Sequence, residues 1–182
     1  MSLWELPQTA KIGERVYTLH TDYRDILEIF SYLDNEDLPE AVRWQIALGL
    51  FFEEEIPPED MPRAAEYFSW FVACGQNRGK GERLMCWQQD APMIVAEINK
   101  AVGQEIRVLP YLHWWTFLGW FHAIGEGQFS AVVALRHKLN RGQALEPWEK
   151  TFYRENRAVV DLRRRYSRQE LEEKERLEQL LK

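Results

Sequence analysis

Hydrophobic residues recur at helical spacing along most of the chain, and this spacing predicts a mainly α-helical fold. The first such stretch follows Thr21 and Asp22, either of which is suited to cap a helix through its side-chain oxygen. Its apolar face is formed by Tyr23, Ile26, Leu27, Phe30 and Leu33. Before it, residues 15–20 are rich in β-branched and aromatic side chains, and Gly13 suits a turn. We therefore expect a short β-hairpin or extended segment within residues 1–20.

The same spacing predicts six more helices before residue 167. Their approximate bounds are 39–52, 62–74, 84–102, 110–124, 129–139 and 146–166. Pro92 falls inside the third of these stretches, and we expect that helix to restart there because proline interrupts helical hydrogen bonding. Residues 105–109, between the third and fourth stretches, are expected to form an extended connector.

The last residues carry the clearest local helix signal. Ser167 and Glu170 have the spacing of a capping box, in which each side chain bonds the other residue's backbone amide. A thin apolar stripe follows, formed by Leu171, Leu177, Leu180 and Leu181. The expected fold is a mainly α, single-domain multi-helix bundle over residues 1–166, with residues 1–20 as its β or extended N-terminus. A charged amphipathic helix over residues 167–182 completes it, and the sequence leaves open whether this helix projects from the bundle.

Composition favours a soluble globular protein of a reducing compartment. The 182 residues include eight Trp, seven Tyr and nine Phe, a large supply of rings for a core or an interface. Cys74 and Cys86 lack metal-ligand spacing, and two such thiols suit a reducing compartment. The N-terminus shows no signal-peptide pattern, and the longest apolar run, residues 111–124, is shorter than the roughly 20 residues that cross a bilayer. We therefore expect a cytoplasmic protein that does not enter a membrane.

Residues that commonly carry catalysis do not occur in a catalytic pattern. No helix face presents a ready pair of metal ligands, because no two of the histidines are four positions apart: His20, His113, His122 and His137. The loop 75–81 has three rather than four residues between its first two glycines, and Gly81 follows Lys80, unlike a phosphate-binding Walker loop. We expect that the protein is not an enzyme and holds no cofactor or metal.

Protein binding is the remaining class of function, and the sequence offers seven candidate contact residues. Trp70 and Trp120 fall off the main apolar faces of their helices, and for both a second core layer is the alternative. His113 and Trp114 belong to the aromatic run 111–124, where a core role competes with an interface role. The one dense basic patch consists of Arg163, Arg164 and Arg165. The net charge of −6 disfavours nucleic acid as its partner, and a solvated helix face is the alternative.

Several short segments resemble the bacteriophage gene product fifteen family. The most specific is Leu112-His113-Trp114-Trp115 followed by Phe117. The others are Thr21-Asp22-Tyr23-Arg24, Phe71 with Cys74 and Gly75, and Gln89-Asp90-Ala91 with Ile94. The resemblance covers roughly residues 10–165. It departs at 104–107, where Arg107 stands in a stretch that tends to be acidic in the family.

This resemblance implies a role in the tail modules of long-tailed phages and prophages. Proteins of this kind look like helical tail-assembly chaperones that bind the tape-measure protein before the tail tube polymerises, with the major tail protein as a second expected partner. The resemblance transfers no catalytic or binding residues. A structural virion or tail-completion protein is the alternative, and a nucleic-acid-binding regulator that uses the arginine run is a less favoured one. Association into a homo-oligomer stays open.

Overall fold

A computed structural model of the protein describes residues 4–76 and 81–162. Over these residues the fold is mainly α-helical with one short antiparallel β-hairpin, which confirms the predicted fold class. The strands are β1 (Thr9–Ile12) and β2 (Arg15–Thr18). A 3-10 helix covers Ile106–Val108. The α-helices are α1 (Tyr23–Leu33), α2 (Glu40–Phe51), α3 (Met61–Val72), α4 (Trp87–Val102), α5 (Trp114–His122), α6 (Gln128–Asn140), α7 (Pro147–Glu155) and α8 (Arg157–Val160).

The described residues form two compact units. The N-terminal unit comprises residues 4–76 and 112–115, and the C-terminal unit comprises residues 81–111 and 116–162. Each unit buries its own set of side chains, which mixes aromatic and aliphatic residues in the first and is mainly aliphatic in the second. The predicted boundary at residue 166, the helix expected over residues 167–182 and the arginines 163–165 lie outside the described residues.

The hairpin and the start of α1 follow from local sequence. β1 and β2 pair in antiparallel register, and the alternation of side chains buries Ala10, Ile12 and Tyr17 on one face. Asp22 precedes α1 in an extended conformation, and its carboxylate accepts the Arg24 N–H at 2.9 Å. Of the two expected caps, Thr21 and Asp22, the structure uses Asp22, which satisfies one of the amide donors that a helix start leaves open.

Phenylalanine rings join α2 to α3 in the core of the N-terminal unit. The ring centroid of Phe51 lies 5.0 Å from those of both Phe68 and Phe71, and all three side chains are buried. Edge-on and tilted arrangements at this distance are the ones that aromatic pairs prefer. Because Phe51 belongs to α2 while Phe68 and Phe71 belong to α3, these contacts fix the two helices against each other.

A buried ion pair organises the C-terminal unit. Arg136 of α6 donates two hydrogen bonds, of 2.7 and 2.8 Å, to the carboxylate of Asp90 in α4. The Arg136 side chain is 3% exposed and that of Asp90 is fully buried. Arg136 also donates to the carbonyl oxygens of Leu84, Val159 and Val160, so every N–H of its guanidinium is used. The pair therefore ties α4, α6 and α8 together.

Two local predictions in the C-terminal unit were wrong. No restart occurs at Pro92, because α4 continues through it and the buried Ile94 and Ile98 hold its inner face. Residues 105–109 are not fully extended, because the Glu105 side chain accepts the Arg107 N–H at 3.0 Å and starts a 3-10 turn.

The helix predicted over residues 146–166 is also divided in the structure. α7 ends at Glu155 and α8 begins at Arg157, with Asn156 between them. The Asn156 side chain donates to the Phe152 carbonyl at 3.0 Å, which is the local bonding that lets asparagine compete with a helix interior. α8 then ends at Val160. The Arg136 guanidinium donates hydrogen bonds to the carbonyl oxygens of Val159 and Val160 at this end of the helix.

Candidate protein-binding surfaces

Two of the segments that resemble the phage family pair with each other inside the N-terminal unit. Tyr23 donates its N–H to the Leu112 carbonyl at 2.9 Å, and Trp114 donates its N–H to the Thr21 carbonyl at 2.8 Å. The other oxygen of the Asp22 carboxylate, Oδ2, accepts the Leu112 N–H at 2.9 Å. Because residues 112 and 113 take part in this pairing, α5 begins at Trp114 rather than near Pro110 as predicted.

A third such segment, at the end of α3, contacts Trp114 and Trp115. The indole N–H of Trp114 donates to the Val72 carbonyl at 3.1 Å, and that of Trp115 donates to the Phe71 carbonyl at 2.8 Å. The last carbonyls of a helix lack partners within it, so the two indoles complete the end of α3. These three segments therefore pack together inside this unit, and none of these bonds points to an external ligand.

His113 is a buried hydrogen-bonding residue of the same cluster. Its Nε2 lies 3.1 Å from the Pro7 carbonyl, and its Nδ1 accepts the Trp115 N–H at 3.0 Å. These two bonds require the neutral ring with its proton on Nε2. Burial lowers the pKa of His113, which favours the same neutral form. The side chain is 2% exposed, so in this fold it has a core role rather than an interface role.

The structure separates the four candidate contacts that it describes. Trp114 is 1% exposed and lies with His113 in the core, so neither offers surface to a partner. Trp70 and Trp120 are half-buried and keep part of their rings accessible. The other candidates, Arg163, Arg164 and Arg165, lie outside the described residues.

An open groove runs along the outer side of α3 in the N-terminal unit. It has a volume of about 480 Å³. Small side chains line it at successive turns of the helix, and these are Ala65, Ser69 and Ala73. Trp44 of α2 and Trp70 of α3 contribute aromatic surface. We call it the α3 groove, and its dimensions and lining suit an apolar side-chain row of another chain.

Other aromatic rings pack against both tryptophans of the α3 groove. The Trp44 ring lies 6.2 Å from Phe68 between centroids, and the Trp70 ring lies 5.6 Å from Trp115. Gly75 also packs against the Trp70 ring, because a Cβ at this position would lie only 3.3 Å from it. The φ of Gly75 is +74°, a backbone conformation that favours glycine. Rigid aromatic side chains that keep one accessible face lose little conformational entropy on binding, which is typical of interface anchors.

A second open groove lies in the C-terminal unit, and we call it the α6 groove. Its volume is about 590 Å³, and its lining is mainly apolar. The apolar residues include Leu84, Phe121, Ile124, Phe129, Val133 and Ala134. His122, His137 and Lys138 also line it. Lys138 is engaged in an ion pair of 2.6 Å with Glu149.

Trp44, the α6 groove and the exposure of Trp148 were not found from the sequence. Trp148 has helical spacing to the apolar Phe152 and Val159, yet it is 65% exposed, while the neighbouring Glu149 is buried against Lys138. Trp44 has helical spacing to the buried Leu48 and Phe51, yet it lines the α3 groove. Periodicity alone carries no signal for these cases, because it does not say which side of a helix another element covers.

Within residues 4–76 and 81–162, no cluster of three or more His, Cys, Asp or Glu side chains has a metal-binding arrangement. None of the helices in the same ranges combines the length and hydropathy needed to cross a membrane.

Comparison with known proteins gives the chain a family. The family model described as "Bacteriophage Gp15 protein" matches residues 4–162, most of the 182 residues. The chain belongs to this family. The resemblance seen in the short aromatic segments is thereby confirmed, and the chain is a bacteriophage protein for which family membership suggests a structural or assembly role. No curated protein and no solved structure matches the chain.

Proposed function

We propose that this Gp15-family chain is a non-enzymatic tail-assembly chaperone of a phage or prophage. It binds the tape-measure protein in the cytoplasm of the bacterial host before the tail tube polymerises. Polymerising major tail protein then displaces it. Family membership supports the phage setting. The observation that carries the binding role is an open groove with aromatic walls in each unit.

The physical argument concerns the exposed apolar surface of the client. A long, largely helical chain presents stripes of apolar side chains until its final assembly covers them. An amphipathic helix binds by laying such a stripe into an apolar groove, with anchors three and four residues apart. Half-buried Trp44 and Trp70 supply anchoring surface in one groove, and half-buried Phe121 supplies it in the other.

The direct test is co-expression of the chain with the tape-measure protein of the same phage, followed by affinity capture and light scattering. We expect a soluble complex with several copies of the chain per tape-measure molecule. Light scattering on the chain alone gives its own oligomeric state as the baseline. No association, with a tape-measure protein that stays insoluble, contradicts the proposal.

The alternative is a structural or tail-completion protein of the virion, which family membership supports equally. Mass spectrometry of purified particles separates the two. A chaperone is absent from finished particles, whereas a structural protein is present in fixed stoichiometry. Stoichiometric amounts would therefore replace the chaperone proposal by the structural one.

A further inference from the structure

The two units differ strongly in charge. The N-terminal unit, residues 4–76 and 112–115, carries fifteen Asp or Glu and five Lys or Arg, a formal charge of −10. The C-terminal unit, residues 81–111 and 116–162, carries nine of each sign and is formally neutral. The overall −6 of the chain hides this difference. A field of one sign over one unit steers partners of the opposite sign toward it.

The α3 groove lies in the acidic unit, and the charged side chain among its described lining residues is negative. Glu66 lines the groove, and Glu40 lies exposed on α2 one helical turn before Trp44. The cations of these helices are directed elsewhere. Arg43 donates to the Leu33 carbonyl at 2.9 Å, and the guanidinium of Arg63 lies beside the hairpin turn at Gly13.

We propose that the α3 groove binds a basic amphipathic helix of another protein. The apolar row of that helix lies along Ala65, Ser69 and Ala73, between the rings of Trp44 and Trp70. Its flanking Lys or Arg side chains face Glu40 and Glu66. The identity of that protein as the tape measure rests on the function proposed above, whereas the charge preference of the groove does not.

Small residues at successive turns let the axis of a second helix approach closely, and flanking side chains of opposite charge set its register and orientation. The neutral C-terminal unit offers no such preference at the α6 groove, whose lining includes His122, His137 and Lys138. The two grooves are therefore expected to differ in the charge of the helices that they accept.

The test uses two synthetic helical peptides and the full chain. Both peptides have about 18 residues with Leu at positions i, i+3, i+4 and i+7, and they differ in having Lys or Glu at every other exposed position. Binding is measured by titration calorimetry at low and at high salt. We expect the Lys peptide to bind at least about tenfold more tightly than the Glu peptide, with an affinity that falls as salt rises. Equal binding of both peptides, or of neither, overturns the proposal.

Matched variants locate the site. Ser69→Gln places a neutral side chain in the α3 groove, and Ala134→Gln places the same side chain in the α6 groove. We expect Ser69→Gln to weaken Lys-peptide binding about tenfold and Ala134→Gln to leave it unchanged. The reverse order moves the site out of the α3 groove and overturns the proposal.

A second pair of variants separates local charge from the overall field. Glu40→Lys with Glu66→Lys reverses the charges beside the groove, while Glu14→Lys with Glu55→Lys makes the same change in net charge at exposed positions elsewhere in the unit. We expect the first pair to abolish binding and the second to weaken it by less than about threefold. Equal losses mean that the general field, not the groove, selects the peptide.

The chain's own basic segment is the competing occupant. A synthetic peptide of residues 163–182 is added to the complex of the full chain with the Lys peptide. Failure to displace the Lys peptide supports an external partner, and displacement at equal or lower concentration overturns it. If the tape-measure protein still associates with the Ser69→Gln variant as with the unchanged chain, the assignment of the groove fails while the chaperone function stands.

Discussion

The two units satisfy their buried polar groups by different kinds of interaction. In the N-terminal unit the buried polar contacts are mostly neutral donors on backbone carbonyls, such as the indole of Trp114 on Val72 and the imidazole of His113 on Pro7. In the C-terminal unit a full ion pair, Asp90 with Arg136, lies within the core. The first arrangement adds hydrogen bonds to a large aromatic area, whereas the second makes the unit depend on two charged side chains.

This difference indicates which substitutions should destabilise each unit most. Neutral hydrogen bonds contribute about 1 kcal/mol each, and the loss of one leaves a buried aromatic core in place. Removal of one member of a buried ion pair leaves the other charge without compensation and costs several times more. The C-terminal unit should therefore respond to single substitutions at the pair more than the N-terminal unit does at any one of its bonds.

The largest effect is expected for Asp90→Ala. It leaves the guanidinium of Arg136 buried without its counter-charge and should lower the free energy of unfolding by about 3–5 kcal/mol. Urea denaturation followed by circular dichroism measures this change. The double variant Asp90→Leu with Arg136→Met should recover only part of the loss, since it removes both charges but leaves the carbonyls of Leu84, Val159 and Val160 without their donor. A loss below about 1 kcal/mol for the single variant would mean that solvent reaches the pair.

Asp22→Ala is expected to have the largest effect among the hydrogen bonds of the N-terminal unit. The carboxylate caps α1 through the Arg24 N–H and also accepts the Leu112 N–H, so its removal should cost about 2 kcal/mol. Asp22→Asn keeps one acceptor oxygen and should lose about half as much. The same denaturation assay applies, and equal losses for the two variants would show that the acceptor oxygen retained in Asp22→Asn contributes nothing to stability.

The pH dependence around His113 gives a smaller effect. Its pKa in the folded protein is lowered, so the unfolded chain binds more protons and stability must fall with acid. The contribution is full above the unfolded pKa near 6.5 and is lost as the pH falls from that value toward the lower folded pKa. A thermal-melt series across this range should show a shallower slope for His113→Gln. Identical slopes would show that His113 does not titrate with unfolding.

The smallest effect is expected at Trp148. Its ring is 65% exposed, so Trp148→Ser should change the free energy of unfolding by less than about 0.5 kcal/mol. Trp114→Ser serves as the buried counterpart and should cost at least about 3 kcal/mol. A large loss at Trp148 in the isolated chain would show that its ring is covered in solution.

Local features of the fold were accessible from the sequence because they depend on neighbours along the chain. Asp22 as the cap of α1, the hairpin before residue 20 and the starts of α6 and α7 within one or two residues all follow from capping residues and periodicity. The uninterrupted α4 did not follow, since its buried face offsets the missing N–H of Pro92.

The candidate surfaces were accessible only in part. Trp70 was singled out because it falls off the apolar face of its helix, and it does line the α3 groove. Trp44 and the whole α6 groove needed contacts between elements distant in sequence. Trp114 was a candidate for the surface by residue type alone, and its hydrogen bond to Val72, 42 positions away, places it in the core.

The sequence by itself determined the helical class, the N-terminal hairpin and, through a few aromatic segments, membership of the bacteriophage family. It also determined the amount of charge in each stretch of the chain. Only the tertiary structure decided which of these residues are covered. It joined Thr21–Tyr23 to Leu112–Trp114, and it buried Asp90 with Arg136. The physical reason is that periodicity defines the sides of each helix, whereas burial depends on which distant element packs against each side.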